Sequence, residues 1–285
     1  MADYCLDVID LTSGETVRQL CRKGRGPGEF LSISPFFSLE SETVTVYDYP
    51  SRTLSDVSLS GEIIGSAIHR VELEATPKRG QPIILSSYKV FDTQLLAYNS
   101  IQGSAEFVSI DPPYYALYDL ESGAEKRQFT LFASSPMDDY SEDVRMNAFS
   151  LVDCINPQKT SLCFAVSSMP VYGFLDIRTG KVKGFRIKGA PSFSATELQM
   201  CFTGICAQND CIYALYFGRP AKEHMPGVNT YLYKFDWNGR ILGKYELDGL
   251  FRSCYATPDA LYLSKVEDNQ TLCLYRLETR NDFTK

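Results

Sequence analysis

The chain has 285 residues, 44% of them hydrophobic and 13% aromatic, enough to build one large core or two small ones. Charged residues make up 22% and are mixed along the chain, which excludes a long disordered tail. A net charge of −7 and a pI near 5.0 argue against a nucleic-acid or anionic-membrane surface, and no apolar run approaches the ~18 residues of a membrane span.

Two strand-like runs come first, CLDVIDL and ETVRQLC, joined through IDLTSG (Ile9–Gly14). GRGPGEF follows, Gly24–Phe30. Glycine permits unusual backbone angles there and proline stiffens the path, so the stretch reads as a crossover turn that lets Phe30 plug a gap between sheets. It is not a phosphate loop, because no Gly-Lys-Ser/Thr closes it and LSISPFFSL follows instead of a helix. Four complete units are then expected at 31–73, 82–132, 147–188 and 198–247. Their runs, such as TVTVYDY, LLAYNS, SLCFAVSS and CIYALYF, are short and rich in β-branched and aromatic residues. Each unit holds one variant of the same phrase: DVSLSG (Asp56–Gly61), YDLESG (Tyr118–Gly123), LDIRTG (Leu175–Gly180) or FDWNG (Phe235–Gly239). The glycine of each is placed to supply the positive φ of a hairpin turn. Three further strands, FRSCYAT, ALYLSKV and TLCLYRL, close the series.

Four antiparallel strands per unit, repeated every ~45–60 residues, is the pattern of an all-β propeller, in which each blade buries both faces against its neighbours. With strands labelled A to D from axis to rim, the first two runs read as C and D and the last three as A, B and C. Six blades is therefore the favoured count, the first blade lacking its inner strands, over a single domain spanning 1–285. The alternative is five blades. Missing inner strands imply that the chain was cut upstream or its start misassigned.

KGRGPGEF before an apolar strand, after a hairpin such as VIDLTSGE, resembles bacterial six-bladed propellers of the TolB-like type, distantly similar to NHL-repeat propellers. That resemblance implies a six-bladed fold, frequent export and lipoprotein anchoring, and no established activity. It implies a periplasmic or cell-envelope location if an upstream signal is missing, and otherwise the cytoplasm.

Candidate chemistry is sparse. Nine cysteines at irregular spacing, mostly within apolar runs, read as buried free thiols. Cys201, Cys206 and Cys211 form C-x4-C-x4-C, but an offset of five along a strand puts the first two on opposite faces, so no metal site is expected. The only histidines, His69 and His224, lie in AIHRVEL and AKEHMPG. No G-x-S-x-G elbow accompanies them. The acidic cluster Asp138, Asp139, Glu142 and Asp143 lacks the order of a calcium loop and reads as solvated.

Loop length says more. The C–D turns are tight, whereas the long connections, about 74–81, 100–113, 132–146 and 218–229, are all B–C or D–A and gather on one face. Arg145, Asn147, Arg219 and His224 are expected to converge there, with Arg25 and Glu29 in the adjacent link. The reading is a non-catalytic binding or scaffold propeller with no cofactor, presenting its looped face to a protein, peptide or glycan. The alternative is a lactonase-like, metal-dependent hydrolase or lyase. That alternative needs carboxylates and asparagines from three or more inner strands, and NAFSLVDCI and LQMCFTGIC carry few.

Overall fold

A computed structural model describes residues 3–40, 42–48, 50–51, 53–64, 83–91, 93–102, 108–132, 140–141, 144, 147–208, 210–221, 228–267 and 271–278. Twenty strands are named among them, and the chain divides into two compact units, Met1–Ser134 and Ser135–Lys285.

In the first unit, β1 (Tyr4–Ile9) and β2 (Thr16–Arg22) form a two-stranded ribbon. Strands β3 (Ile33–Glu40), β4 (Thr43–Asp48) and β5 (Thr53–Ser58) form a three-stranded sheet. A four-stranded sheet follows, of β6 (Ile83–Phe91), β7 (Gln94–Gln102), β8 (Val108–Asp119) and β9 (Glu125–Thr130). The second unit holds a sheet of β10 (Leu151–Ile155), β11 (Ser161–Val166), β12 (Val171–Asp176) and β13 (Val182–Arg186). Next come β14 (Gln199–Gln208), β15 (Cys211–Pro220), β16 (Thr230–Asp236) and β17 (Ile241–Leu247), then the three strands β18 (Phe251–Ala256), β19 (Ala260–Glu267) and β20 (Thr271–Glu278). Every sheet is an antiparallel meander in chain order. Inner strands of successive sheets pack together: β3 on β6, β10 on β14, and β14 on β18.

Sheets of blade size number five, the alternative count, and not the favoured six. Among the described residues the ribbon β1–β2 pairs with no further strand, and within its unit it packs on the β3–β5 sheet. Leu20 and Cys21 bury against Val44, Val46 and Val57 of the β3–β5 sheet, while Leu11 and Val17 are each 60% exposed. The expected fourth strand of the β3–β5 sheet begins with the bridge Val57↔Ile63; its continuation through His69 lies outside the described residues.

The inter-sheet layers are apolar and aromatic, which is why strands buried on both faces do not alternate. Tyr47, Tyr88, Tyr114 and Tyr118 pack between β3–β5 and β6–β9; Tyr172, Phe174, Phe202, Tyr216 and Phe235 pack between β10–β13 and β14–β17. Each layer also carries a polar pin. Tyr88 Oη donates to Thr45 O (3.1 Å), Tyr172 Oη to Gly239 O (3.0 Å), and Thr203 Oγ1 to Phe251 O (2.9 Å). These bonds satisfy buried hydroxyls and fix how the sheets register against each other.

Candidate functional site

Within each unit the two ends of the sheets differ, and local chemistry explains one of them. Asp10 Oδ1 accepts the N–H groups of Thr12 and Ser13. Asp119 Oδ1 does so for Ser122, Asp176 Oδ1 for Arg178 and Thr179, and Asp236 Oδ1 for Asn238 and Arg240. In the β3–β5 sheet Ser58 takes this place, accepting from Glu62 N–H through its Oγ. The repeated phrase is thus a side-chain-capped turn, closed by glycines at φ between 72° and 90°. Asp176 and Asp119 are held below the ordinary carboxylate range: Asp176 mainly by the Thr179 N–H, Asp119 mainly by the Ser122 hydroxyl. Among the described strands, the connections from β7 to β8 and from β15 to β16 leave from the opposite end.

At that opposite end of the first unit lies the Gly24–Phe30 turn. Glu29 folds back over it. Its Oε2 accepts from Gly26 N–H (2.8 Å), and its Oε1 stands 3.7 Å from Arg22 Nε. A Cβ on Gly24 would overlap that carboxylate, and Gly28 sits at φ +80°. Phe30 is 4% exposed, docked between the ribbon and the β3–β5 sheet, as the sequence led one to expect. Glu29 is therefore consumed in building the turn, while Arg25 is exposed at its tip. The chain is then steered into β3 by Asp48, a buried carboxylate missed in the sequence. It accepts from Leu31 N–H (3.2 Å), Ser32 N–H (3.0 Å) and Ser51 Oγ (2.9 Å). Its signal was an acid ending the apolar run TVTVYD.

The second unit carries the other described candidates. Asn147 is exposed on the link into β10, where its carbonyl accepts from Ser150 N–H (3.0 Å). Arg219 is exposed near the end of β15 and pairs in register with Met200 at the start of β14. Arg252 donates to Met200 Sδ from β18 (3.8 Å). One exposed guanidinium, that of Arg252, thus sits on the Met200 thioether, and exposed Arg219 is the cross-strand neighbour of Met200. Arg252 escaped the sequence reading, although its place as second residue of an inner strand matches that of Met200. Lys265 is a further cation at this end, held by Glu267 (3.1 Å) and Asp248 O (3.3 Å). Arg145, His224 and the cluster Asp138, Asp139, Glu142 and Asp143 lie outside the described residues. Arg25 and Glu29 belong to the first unit, Asn147 and Arg219 to the second.

All nine cysteines are free thiols, five buried and four half-buried. Cys201 joins the layer facing β10–β13 and Cys206 the layer facing β18–β20, the opposite faces that their spacing requires. Burial pushes the thiols of Cys21 and Cys201 up to about 12. Among the described residues no group of three His, Cys, Asp or Glu is placed to hold a metal ion, and no helix is long and apolar enough to cross a membrane.

Meandering sheets packed through their inner strands define the class as an all-β propeller. A solved member of the DUF4221 family from Bacteroides vulgatus has the same fold, with a TM-score of 0.61 at 14% sequence identity, over 95% of this chain and 85% of the other. Hydrazine synthase from Kuenenia stuttgartiensis matches with a TM-score of 0.50 at 12% identity, over 90% of this chain and 66% of that one. At such identities the likeness carries the fold alone, not a TolB-like or NHL assignment. No protein-family model matches the chain, and no curated protein does.

Proposed function

We propose that residues 1–285 act as one non-catalytic binding propeller of the envelope-associated, TolB-like kind, presenting the looped ends of its blades to a protein partner. Among protein, peptide and glycan, a peptide segment bearing carboxylates fits best. The observation that carries this reading is Arg252 on the Met200 thioether, with exposed Arg219 as the cross-strand neighbour of Met200. Two exposed cations and a soft apolar contact recognise an acidic side chain beside an apolar one. Irregular loops on a rigid sheet scaffold are the usual seat of recognition, which supports the same end.

The test is fluorescence anisotropy with labelled peptides that alternate glutamate and leucine, against the same peptides with lysine for glutamate. Binding of the acidic set should weaken with salt and fall at least ~10-fold in the Arg219→Glu/Arg252→Glu variant. Equal binding of both peptide sets, or an unaffected variant, would sink the proposal.

A further inference from the structure

We propose that Cys206 and Cys254 are a reversible redox pair, forming a disulfide that staples β14 to β18. The two strands come close here. A Cβ on Gly204 would stand 3.0 Å from Ser253 Cα and 3.1 Å from Cys254 N, so only a glycine leaves the backbones room. Thr203 Oγ1, bonded to Phe251 O at 2.9 Å, holds that spacing. Two residues further along, on the same face of β14 as Gly204, Cys206 packs in one apolar layer with Cys254, whose Sγ lies 3.9 Å from the carbonyl of Tyr213, the cross-strand partner of Cys206. Tyr213, Leu261 and Leu263 enclose the pair.

The other close pair, Cys154 and Cys163, are direct partners in one sheet, where a bridge would tie strands already joined by ladder hydrogen bonds. Cys206 and Cys254 belong to different sheets, so their bond would add a covalent tie where side-chain packing and hydrogen bonds such as Thr203–Phe251 now hold the sheets together. The pair is also asymmetric: Cys254 is half-buried and Cys206 buried. That is the arrangement of an accessible sulfur backed by a resolving one.

The co-reactant is a hydroperoxide. The Cys254 sulfur, as thiolate, attacks the peroxide oxygen, the O–O bond breaks, and water leaves with the thiol proton, giving a sulfenic acid. The Cys206 sulfur then attacks the sulfenic sulfur. The S–O bond breaks, and hydroxide departs as a second water with the Cys206 proton. Two thiols and one hydrogen peroxide become one disulfide and two waters, the thiol pair losing two electrons to the peroxide.

The test treats the folded full chain with hydrogen peroxide, blocks remaining thiols with iodoacetamide in denaturant, and maps tryptic peptides without reduction. The expected product joins the peptide 189–222 to the peptide 253–265, two hydrogens lighter than the sum of the free pair, with fragmentation placing the bond at Cys206. It should disappear with dithiothreitol and be absent from Cys254→Ala. The oxidised wild type should melt several degrees above the reduced protein, a shift that Cys254→Ala does not show. Full alkylation of both cysteines after peroxide, or a bridge through Cys201 or Cys211 instead, would overturn the proposal. Circular dichroism of Cys206→Ser, a second variant, checks that loss of the bridge is not loss of the fold.

Discussion

Glu29 and Gly24 form a single device in which the glycine exists because of the acid. Removing the carboxylate alone, Glu29→Ala, leaves Gly26 N–H without its charged acceptor and should cost ~1–2 kcal/mol. Gly24→Ala puts a methyl where that carboxylate lies and should cost at least as much. Together they should cost clearly less than the sum, because the added methyl has nothing left to displace. Urea denaturation of the three variants measures the coupling, and strict additivity would refute the arrangement. The glycine-rich run was readable as a turn from its composition. The part played by Glu29 was not, since a side chain folding back on its own loop leaves no mark in spacing. Glu125 offers the opposite case. Burial raises its carboxyl above the ordinary range, and its Oε2 has no hydrogen-bond partner among the described residues. A carboxyl with a raised folded value binds its proton more tightly in the native state, so it weakens the fold as pH rises through that value. Glu125→Gln should therefore raise the melting temperature at pH 8 and bring no gain at pH 4. A gain of equal size at both would contradict this sign.

Individual elements were legible where a side chain and a turn work together. The Asp-to-Gly phrase identified the C–D hairpins because the same acid caps the same turn in four of them. The folded-state values of Asp119 and Asp176 are depressed, so their stabilisation is present above the unfolded carboxylate value, about 4, and disappears as pH falls through the folded value. Asp176→Asn keeps the acceptor and loses the titration; its melting temperature should fall less than that of the wild type between pH 5 and pH 3. Blade count was less legible, since a strand-like run does not announce which strand it pairs with. Outer strands β9, β13 and β17 guard their open edges with cations laid over aromatic rings: Arg127 on Phe129, Lys183 on Phe185 and Lys244 on Tyr231. At β20 the composition is different. Leu272 is 56% exposed and Leu274 48%, and Tyr255 on the same sheet 59%, with β19 as the only described partner of β20. An apolar strand edge of this kind promotes association. Leu274→Lys should leave urea stability within ~0.5 kcal/mol and shift sedimentation towards the monomer at high concentration. Unchanged sedimentation would show that the edge is already protected.

At the scale of the whole chain, stability is spread over separate layers rather than one centre. Tyr88 belongs to the layer between β3–β5 and β6–β9, and Tyr172 to that between β10–β13 and β14–β17; the two layers share no residue. Each tyrosine sends its hydroxyl across its layer to a backbone carbonyl, Thr45 O in one case and Gly239 O in the other. In a repeat architecture such terms are local, because each sheet feels mainly its neighbours. Tyr88→Phe and Tyr172→Phe should each cost ~1 kcal/mol or somewhat more, since each leaves a buried carbonyl with one partner fewer. Their double variant should equal the sum within ~0.5 kcal/mol. Pairing Tyr172→Phe with Phe235→Leu should not, because those rings lie 4.5 Å apart in one layer and repack together. Coupling of Tyr88 with Tyr172 as strong as that of Tyr172 with Phe235 would mean that the two layers respond as a single core, and the independent-layer account would fail.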